Sequence, residues 1–516
     1  MYQFSGVSGF GKNTGYPAVD SHPRMLADVN GDGRADVVGF AEDGIDVALG
    51  TRDPGWASPT RWSTHFGRCD SSVCRNQNYQ PRVVGDLDGD GRADVVQFGF
   101  NFGSGFRYML ADYGSTPAFS AMANGPSDWP SNNTFCGNSN ECEMGKYPRF
   151  VADVNGDARG DIVGIGAAGV YVALAIPRGA PFGGINGFEM LDGDAVTSGI
   201  QPIVTHFGTN HGFTDMHVAP RVLADISGDG RMDIVGFHPD GVEVAVSLGR
   251  SFTYSTSLRR FGSNPGAGGW TNQTLFPRFV VDVNGDGLAD LVGMKIDAIY
   301  VSLSFGQPDG TGPATNRFIG PDPISWVTIR TGSPLHEHTR HFFPADLNGD
   351  GRSDFVVVNN GSFLSAVYSR GNSFQIQEQY HRFSPYDWGV PTSRNFSYFV
   401  DYPLASADLN GDGKGDLAFF GPNEVVATFA SMNGFPDVLT SSSNGIGATL
   451  HVQYGTPSQM GSITTSVSGL RIPNTLPKPI VFTVDVANAI PTSQEESNQQ
   501  ASAPRTMLYQ FLQPMA

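Results

Sequence analysis

At 516 residues the chain has room for a large core, yet 32 Lys and Arg against 50 Asp and Glu leave a net charge of −18. That balance excludes nucleic acid as a partner, since a phosphate backbone is bound by clustered cations. No run of about 18 apolar residues is present, so no membrane-crossing helix is expected.

In chain order, the opening MYQFSGVSGFGKNTG lacks the basic and apolar regions of a signal peptide. Three readings follow: export by another route, an intracellular home, or a fragment of a longer chain. Residues 1–20 are expected to complete the last structural unit or to be the remnant of a longer protein. Phe10-Gly11 opens a loop that runs to His22-Pro23-Arg24, and a short apolar strand is predicted from Met25 to Ala27. The acidic nonapeptide DVNGDGRAD (28–36) follows. DVVGF (36–40) is nearly continuous in apolar residues and reads as a buried strand. In IDVALG (45–50), Ile45, Val47 and Leu49 alternate with Asp46 and Ala48, the period of two of a half-buried strand. A less regular segment then reaches Trp62 and Phe66-Gly67, where the pattern begins again.

The nonapeptide recurs at 86, 153, 225, 282, 346 and 408, with first Asp residues 58, 67, 72, 57, 64 and 62 positions apart. Phe-Gly precedes units 1, 2, 4 and 5 at Phe10, Phe66, Phe207 and Phe261, and Phe135-Cys136 takes its place in unit 3. An Arg stands four residues before the first loop Asp in units 1 to 5: Arg24, Arg82, Arg149, Arg221 and Arg278. Units 6 and 7 have Phe342 and Leu404 there. Four strands per unit, seven units and almost no helical periodicity predict an all-β fold, a seven-bladed β-propeller over residues 1–435. Radial closure leaves such a repeat only short, protected edges. After residue 435 the pattern stops. Strand candidates around Leu450, Val452 and Tyr454, in PIVFTVDV (479–486) and in TMLYQF (506–511) predict a small C-terminal β extension, or the start of a further domain, over 436–516.

The nonapeptide D-x-N-x-D-G-x-x-D carries the clearest chemistry. Calcium takes six to eight oxygen ligands, and side chains at positions 1, 3, 5 and 9 with the carbonyl of position 7 can converge on one ion. The expected ligands of unit 1 are Asp28, Asn30, Asp32, Asp36 and the carbonyl of Arg34. Unit 2 offers Asp86, Asp88, Asp90, Arg92 and Asp94, and unit 3 offers Asp153, Asn155, Asp157, Arg159 and Asp161. Unit 4 offers Asp225, Ser227, Asp229, Arg231 and Asp233, and unit 5 offers Asp282, Asn284, Asp286, Leu288 and Asp290. Unit 6 offers Asp346, Asn348, Asp350, Arg352 and Asp354, and unit 7 offers Asp408, Asn410, Asp412, Lys414 and Asp416. Up to seven calcium ions are therefore expected. Ala158, in place of the position-6 Gly, and Ser227, a weaker donor, mark units 3 and 4 as the least regular. The loops hold 22 of the 50 acidic residues. Seven divalent ions carry +14 and would bring the net charge from −18 to about −4, so much of the acidity reads as metal ligand. An EF-hand sensor does not fit, because position 12 lacks Glu and the flanks are strands.

Cys69, Cys74, Cys136 and Cys142 form two pairs close in sequence, which favours two loop-stapling disulfides and an oxidising, extracellular destination. Four free thiols in a cytosolic protein are the alternative. The spacings do not fit a zinc ribbon or finger. No catalytic motif is present, and the repeated carboxylates are read as metal loops rather than an acid–base pair. His336, His338 and His341 form a loop cluster rather than a zinc site. A non-enzymatic role is expected. The loops between Phe-Gly and Pro-Arg carry Tyr16, Tyr79, Tyr147, Phe213, Trp270 and Trp388, aromatics that either pack between blades or stack on sugars. Tyr147, Trp270 and Trp388 are the candidate ligand-binding residues.

HPRMLADVNGDGRADVVGF followed by DGIDVALG, with the FGKNTG type of linker, resembles the FG-GAP and VCBS calcium-loop propeller repeats and, within them, mushroom propeller lectins for N-acetylglucosamine. Over residues 1–435 that resemblance implies seven blades with sugar pockets between neighbours, hence glycans or glycoproteins as partners. NGIGATLHVQYG (444–455) is similar to the segment after the propeller in B components of Tc insecticidal toxins. It implies a structural or interaction module with other toxin components as partners. A calcium-loaded propeller enzyme, such as a polysaccharide lyase, is the third reading.

Overall fold

The computed structural model describes residues 2 to 430 apart from loop segments, the longest being 307–319 and 383–402, and beyond 430 only the strands at 441–443, 448–455, 480–488 and 505–507. Trp388, His336 and His338 lie outside the described residues, as do the side chains of Cys69 and Cys74. Seven four-stranded antiparallel sheets form the blades of a β-propeller. Blade 1 comprises Arg24–Ala27, Asp36–Phe40, Ile45–Ala48 and Thr60–Ser63, paired in that order. Blade 4 repeats the plan with Arg221–Ala224, Asp233–His238, Gly241–Ser247 and Phe252–Leu258. Blade 7 takes three strands from Leu404–Ala407, Asp416–Phe420 and Val425–Phe429 and its fourth from the other end of the chain: Tyr2–Phe4 pairs antiparallel with Val425–Phe429. The N-terminal segment thus completes the last blade and closes the circle. Beyond the blades, Ser441–Ser443, Ala448–Gly455, Ile480–Asn488 and Arg505–Met507 make one further four-stranded sheet.

The core sits between blades, which explains why the second strands are apolar on both faces. In Asp36–Phe40 all five residues are buried. Val37 joins Leu409, Ala418 and Phe420 of blade 7, while its neighbour Val38 joins Val95 and Met109 of blade 2. Successive side chains of a strand point to opposite faces. A strand with a blade on each side therefore loses the polar alternation of a surface strand.

The two sequence markers ahead of most blades have structural roles. Phe66, Phe207 and Phe261 adopt left-handed φ values of 60°, 67° and 62°, a cost of about 1–2 kcal/mol for a residue with a Cβ. The full burial of the three rings offsets it. The glycine that follows lies against the hairpin of the preceding blade: a Cβ on Gly67, Gly208 or Gly262 would fall 2.2–2.3 Å from that hairpin's backbone. Phe-Gly is thus a buckle between one blade and the linker to the next. The marker Arg is buried, at 0–6% exposure. Arg24 lies over Phe420, Arg82 over Phe40, Arg149 over Phe98 and Arg278 over Phe237, 5.2–5.9 Å from the centroid of a ring on the preceding blade. Arg278 also donates to the Phe261 carbonyl at 2.9 Å and to the Val218 carbonyl at 2.9 Å. Burial pulls its pKa down to about 9. A planar cation against an aromatic face keeps its charge at low desolvation cost, so these arginines join adjacent blades.

Candidate metal loops and a blade cavity

Each nonapeptide joins the first strand of a blade to the second, so all seven lie at one end of the propeller. The turn is organised by its first Asp. In loop 1 Asp28 Oδ1 accepts from the Gly31 N–H at 2.7 Å and Oδ2 from the Gly33 N–H at 2.7 Å. The same two bonds recur in every loop, down to Asp408 with Gly411 and Gly413. Gly31 and Gly33 sit at φ 75° and 82°, where glycine is at ease. Loop 3 holds Ala158 at φ 65° in the second of these places.

The position-9 carboxylates do something the spacing did not reveal. Asp36, Asp94, Asp161, Asp233, Asp290, Asp354 and Asp416 are 0–1% exposed. Each accepts through Oδ2 from the position-2 N–H, at 2.8–3.1 Å. Through Oδ1 each accepts, at 2.7–2.9 Å, from an N–H in or just past the last residues of the third strand: Gly50, Ala111, Ala175, Ser247, Ser304, Ser369 and Ala430. One side chain thereby fastens the loop to its blade. A second set of bonds runs around the axis. The position-8 N–H of each loop donates to the position-1 carbonyl of the loop before it: Ala35 to Asp408, Ala93 to Asp28, Gly160 to Asp86, Met232 to Asp153, Ala289 to Asp225, Ser353 to Asp282 and Gly415 to Asp346, at 2.6–2.8 Å. The seven acidic loops form a closed hydrogen-bonded ring.

This arrangement concentrates charge where water is scarce. Burial raises Asp28 to about 6, Asp233, Asp290 and Asp408 to about 7, and Asp161 and Asp354 to about 8, partly opposed by the N–H bonds they accept. Asp36, Asp94 and Asp416 lie well above the usual carboxylate range for the same reason. Asp32, Asp90, Asp229 and Asp350 each pair with the position-7 Arg of their own loop, and Arg159 stands 3.4 Å from Asp157. Loop 5 has Leu288 instead. In loop 2 one oxygen from each of Asp86, Asp88 and Asp94 lies within 4.8 Å of the others. Oxygen donors fit a hard divalent cation. Asp28 Oδ2 and both oxygens of Asp36 accept one N–H bond each, which leaves lone pairs for an ion. In loop 4 the Ser227 hydroxyl donates to Asp225 Oδ1 at 3.3 Å, so it starts from a less suitable orientation.

The opposite end carries the linkers and the hairpins between second and third strands. Tyr147 and Trp270 are 7% and 3% exposed. Tyr147 donates its hydroxyl to the Cys136 carbonyl at 3.1 Å. Trp270 packs on Phe261, its centroid 5.1 Å away, beneath the Lys295 ammonium. Tyr79, by contrast, is 37% exposed. Cys136 and Cys142 meet, their Cα atoms 5.6 Å apart, and the Cys69 backbone pairs with that of Cys74. A cavity of about 800 Å³ opens beside blade 4, between the His238–Glu243 hairpin, Thr256, Arg259, Asn264 and Asp322. Nothing in the sequence singled these residues out, because they fall where the units differ.

Residues 28–96 and 346–419 match the FG-GAP-like repeat family. The structure is similar to that of an Agrocybe aegerita lectin that specifically recognises non-reducing terminal N-acetylglucosamine, at 24% identity and TM-score 0.57, over 73% of this chain and 84% of that one. That likeness establishes the propeller fold. A Photorhabdus luminescens Tc holotoxin pore also aligns, at 18% identity and TM-score 0.44, over 90% of this chain and 20% of that one, so this chain spans about a fifth of the toxin chain's length. No curated protein matches the sequence.

Proposed function

We propose that this chain is a non-enzymatic, calcium-stabilised propeller, acting outside the cell, that binds glycans. The cavity beside blade 4 carries the reading. Its volume of about 800 Å³ suits a small saccharide, and His238, Asp240, Glu243, Thr256, Arg259 and Asn264 offer both donors and acceptors for hydroxyls. The N-acetylglucosamine specificity of the Agrocybe aegerita lectin supports a sugar as the ligand class. Calcium would be held at the other end by the loop oxygens of Asp28, Asn30, Asp32, Asp36 and their counterparts, where it would supply positive charge to buried carboxylates. The propeller's own residues do the recognising, and the metal keeps the blades in register. Disulfides at Cys69–Cys74 and Cys136–Cys142 belong to the same reading of an oxidising environment.

A glycan array probed with and without chelator tests this. Binding to a restricted set of sugars is the expected result, and no binding at any calcium level would overturn it.

A further inference from the structure

Blades 1 and 4 share a row of cross-strand neighbours, and the row differs between them in one telling way. In blade 1 it reads Arg24, Gly39, Asp46, Arg61; in blade 4 it reads Arg221, Gly236, Glu243, Thr256. Both blades shift register at the same place, between Ile45 and Asp46 and between Val242 and Glu243, so the positions correspond. In blade 1 the Asp46 carboxylate is fully engaged. Arg61 Nε donates to Asp46 Oδ1 at 2.6 Å, and Arg61 Nη1 pairs with Asp43 Oδ1 at 2.8 Å. The Tyr16 hydroxyl donates to Asp46 Oδ2 at 3.2 Å. The guanidinium therefore lies across the hairpin, held by two carboxylates.

Blade 4 keeps both carboxylates, as Asp240 and Glu243, without the arginine between them; the exposed Asp240 accepts instead from the Asn264 amide at 2.7 Å. Thr256 stands in place of Arg61. Phe213 packs against Gly236 as Tyr16 packs against Gly39, without a hydroxyl. Glu243 Oε2 is buried with no hydrogen-bond partner. Burial raises the Glu243 carboxylate above its usual range, and nearby His238 and Tyr254 partly oppose the rise. Asp240, Glu243 and Thr256, which correspond to Asp43, Asp46 and Arg61, all line the cavity. The other charges around it are His238, whose Nδ1 is 3.9 Å from Asp240 and 4.0 Å from Glu243, Arg259 on the wall, and the Arg260–Asp322 pair at 2.9 Å on the rim.

We infer that the blade 4 cavity binds an amino sugar through its free ammonium group, held between Asp240 and Glu243 where blade 1 holds its own Arg61. This rests on the glycan-binding reading and narrows it, because an N-acetyl group would bring a neutral amide to a place built for a cation. Charge-assisted hydrogen bonds are about twice as strong as neutral ones, and a buried carboxylate oxygen without a partner, such as Glu243 Oε2, disfavours a ligand that offers it no donor.

Calorimetric titration of the full chain with glucosamine, N-acetylglucosamine and argininamide, near neutral pH, tests it. Glucosamine should bind at least about tenfold more tightly than N-acetylglucosamine. Thr256→Arg, which copies blade 1, should abolish binding with the melting temperature unchanged, and Glu243→Gln should weaken it about tenfold or more. Equal binding of the two sugars, both blocked by Thr256→Arg, would overturn the ammonium inference and leave the glycan reading standing. Argininamide binding with neither sugar bound would overturn the amino-sugar assignment and the glycan reading together. Glucosamine binding that survives Thr256→Arg would place the sugar elsewhere and refute this site.

Discussion

The two ends of the propeller obey different rules. At one end seven acidic loops repeat the same turn, the same fastening by a position-9 Asp and the same bond to the next loop. At the other end blade 1 sets Arg61 against Asp46, where blade 4 has Thr256 on the wall of a cavity. Periodicity serves closure, since each blade must meet identical neighbours around a ring. Recognition needs the reverse: a concave place that differs from its equivalents. The contrast teaches that in this chain the conspicuous motif organises the scaffold, while the proposed ligand site lies where the motif's surroundings depart from the pattern.

The largest expected effect tests the acidic end. Each occupied loop stabilises the fold by about 2.7 kcal/mol when calcium is 100-fold above its dissociation constant. Thermal melting should therefore drop markedly on chelation, and an unchanged melt would break the metal assignment. The pH dependence sharpens it. Carboxylates such as Asp28, raised to about 6, and Asp161 and Asp354, raised to about 8, bind protons more tightly in the folded, metal-free chain than in the unfolded one. Their contribution is fully present below the unfolded pKa of about 4 and is lost as pH rises through 6 to 8. With chelator present the melting temperature should fall from pH 5 to pH 8, and saturating calcium should offset that fall. A rise with pH under chelation would contradict the burial described here.

Next in size is the fastening. Asp233→Ala strands the buried N–H groups of Ile226 and Ser247 and should cost about 3 kcal/mol or more, read by urea unfolding in chelator. A loss that appears only with calcium present would assign Asp233 to the metal alone. Arg278→Ala should cost about 2–3 kcal/mol, since the Phe261 and Val218 carbonyls and the Phe237 ring lose their partner. The smallest effect belongs to loop 3, where Ala158→Gly should stabilise by about 1 kcal/mol by relieving φ 65°. No gain there would mean that Ala158 is accommodated without strain.

Much of the acidic end was legible in the residues. The spacing of DVNGDGRAD and its six relatives counted the blades, and the apolar run in DVVGF announced strands buried on both faces, because local side-chain chemistry and a period of two are written directly in the chain. The Arg of the Pro-Arg marker was visible, but its seat on a ring of the preceding blade was not. Other features depended on neighbours remote in sequence. Tyr2–Phe4 finds its partner in Val425–Phe429 only once the circle closes. Trp270 and Tyr147, aromatics that suit sugar rings by type, are turned into packing by the linkers around them. Whether Glu243 meets a built-in arginine or an open cavity is decided by the cross-strand residue at 256 and the linker residue at 213, which only the register brings to its side. Composition and spacing determined the scaffold and its acidity. Tertiary structure decided which carboxylates are satisfied from within, because that depends on burial and on partners far along the chain.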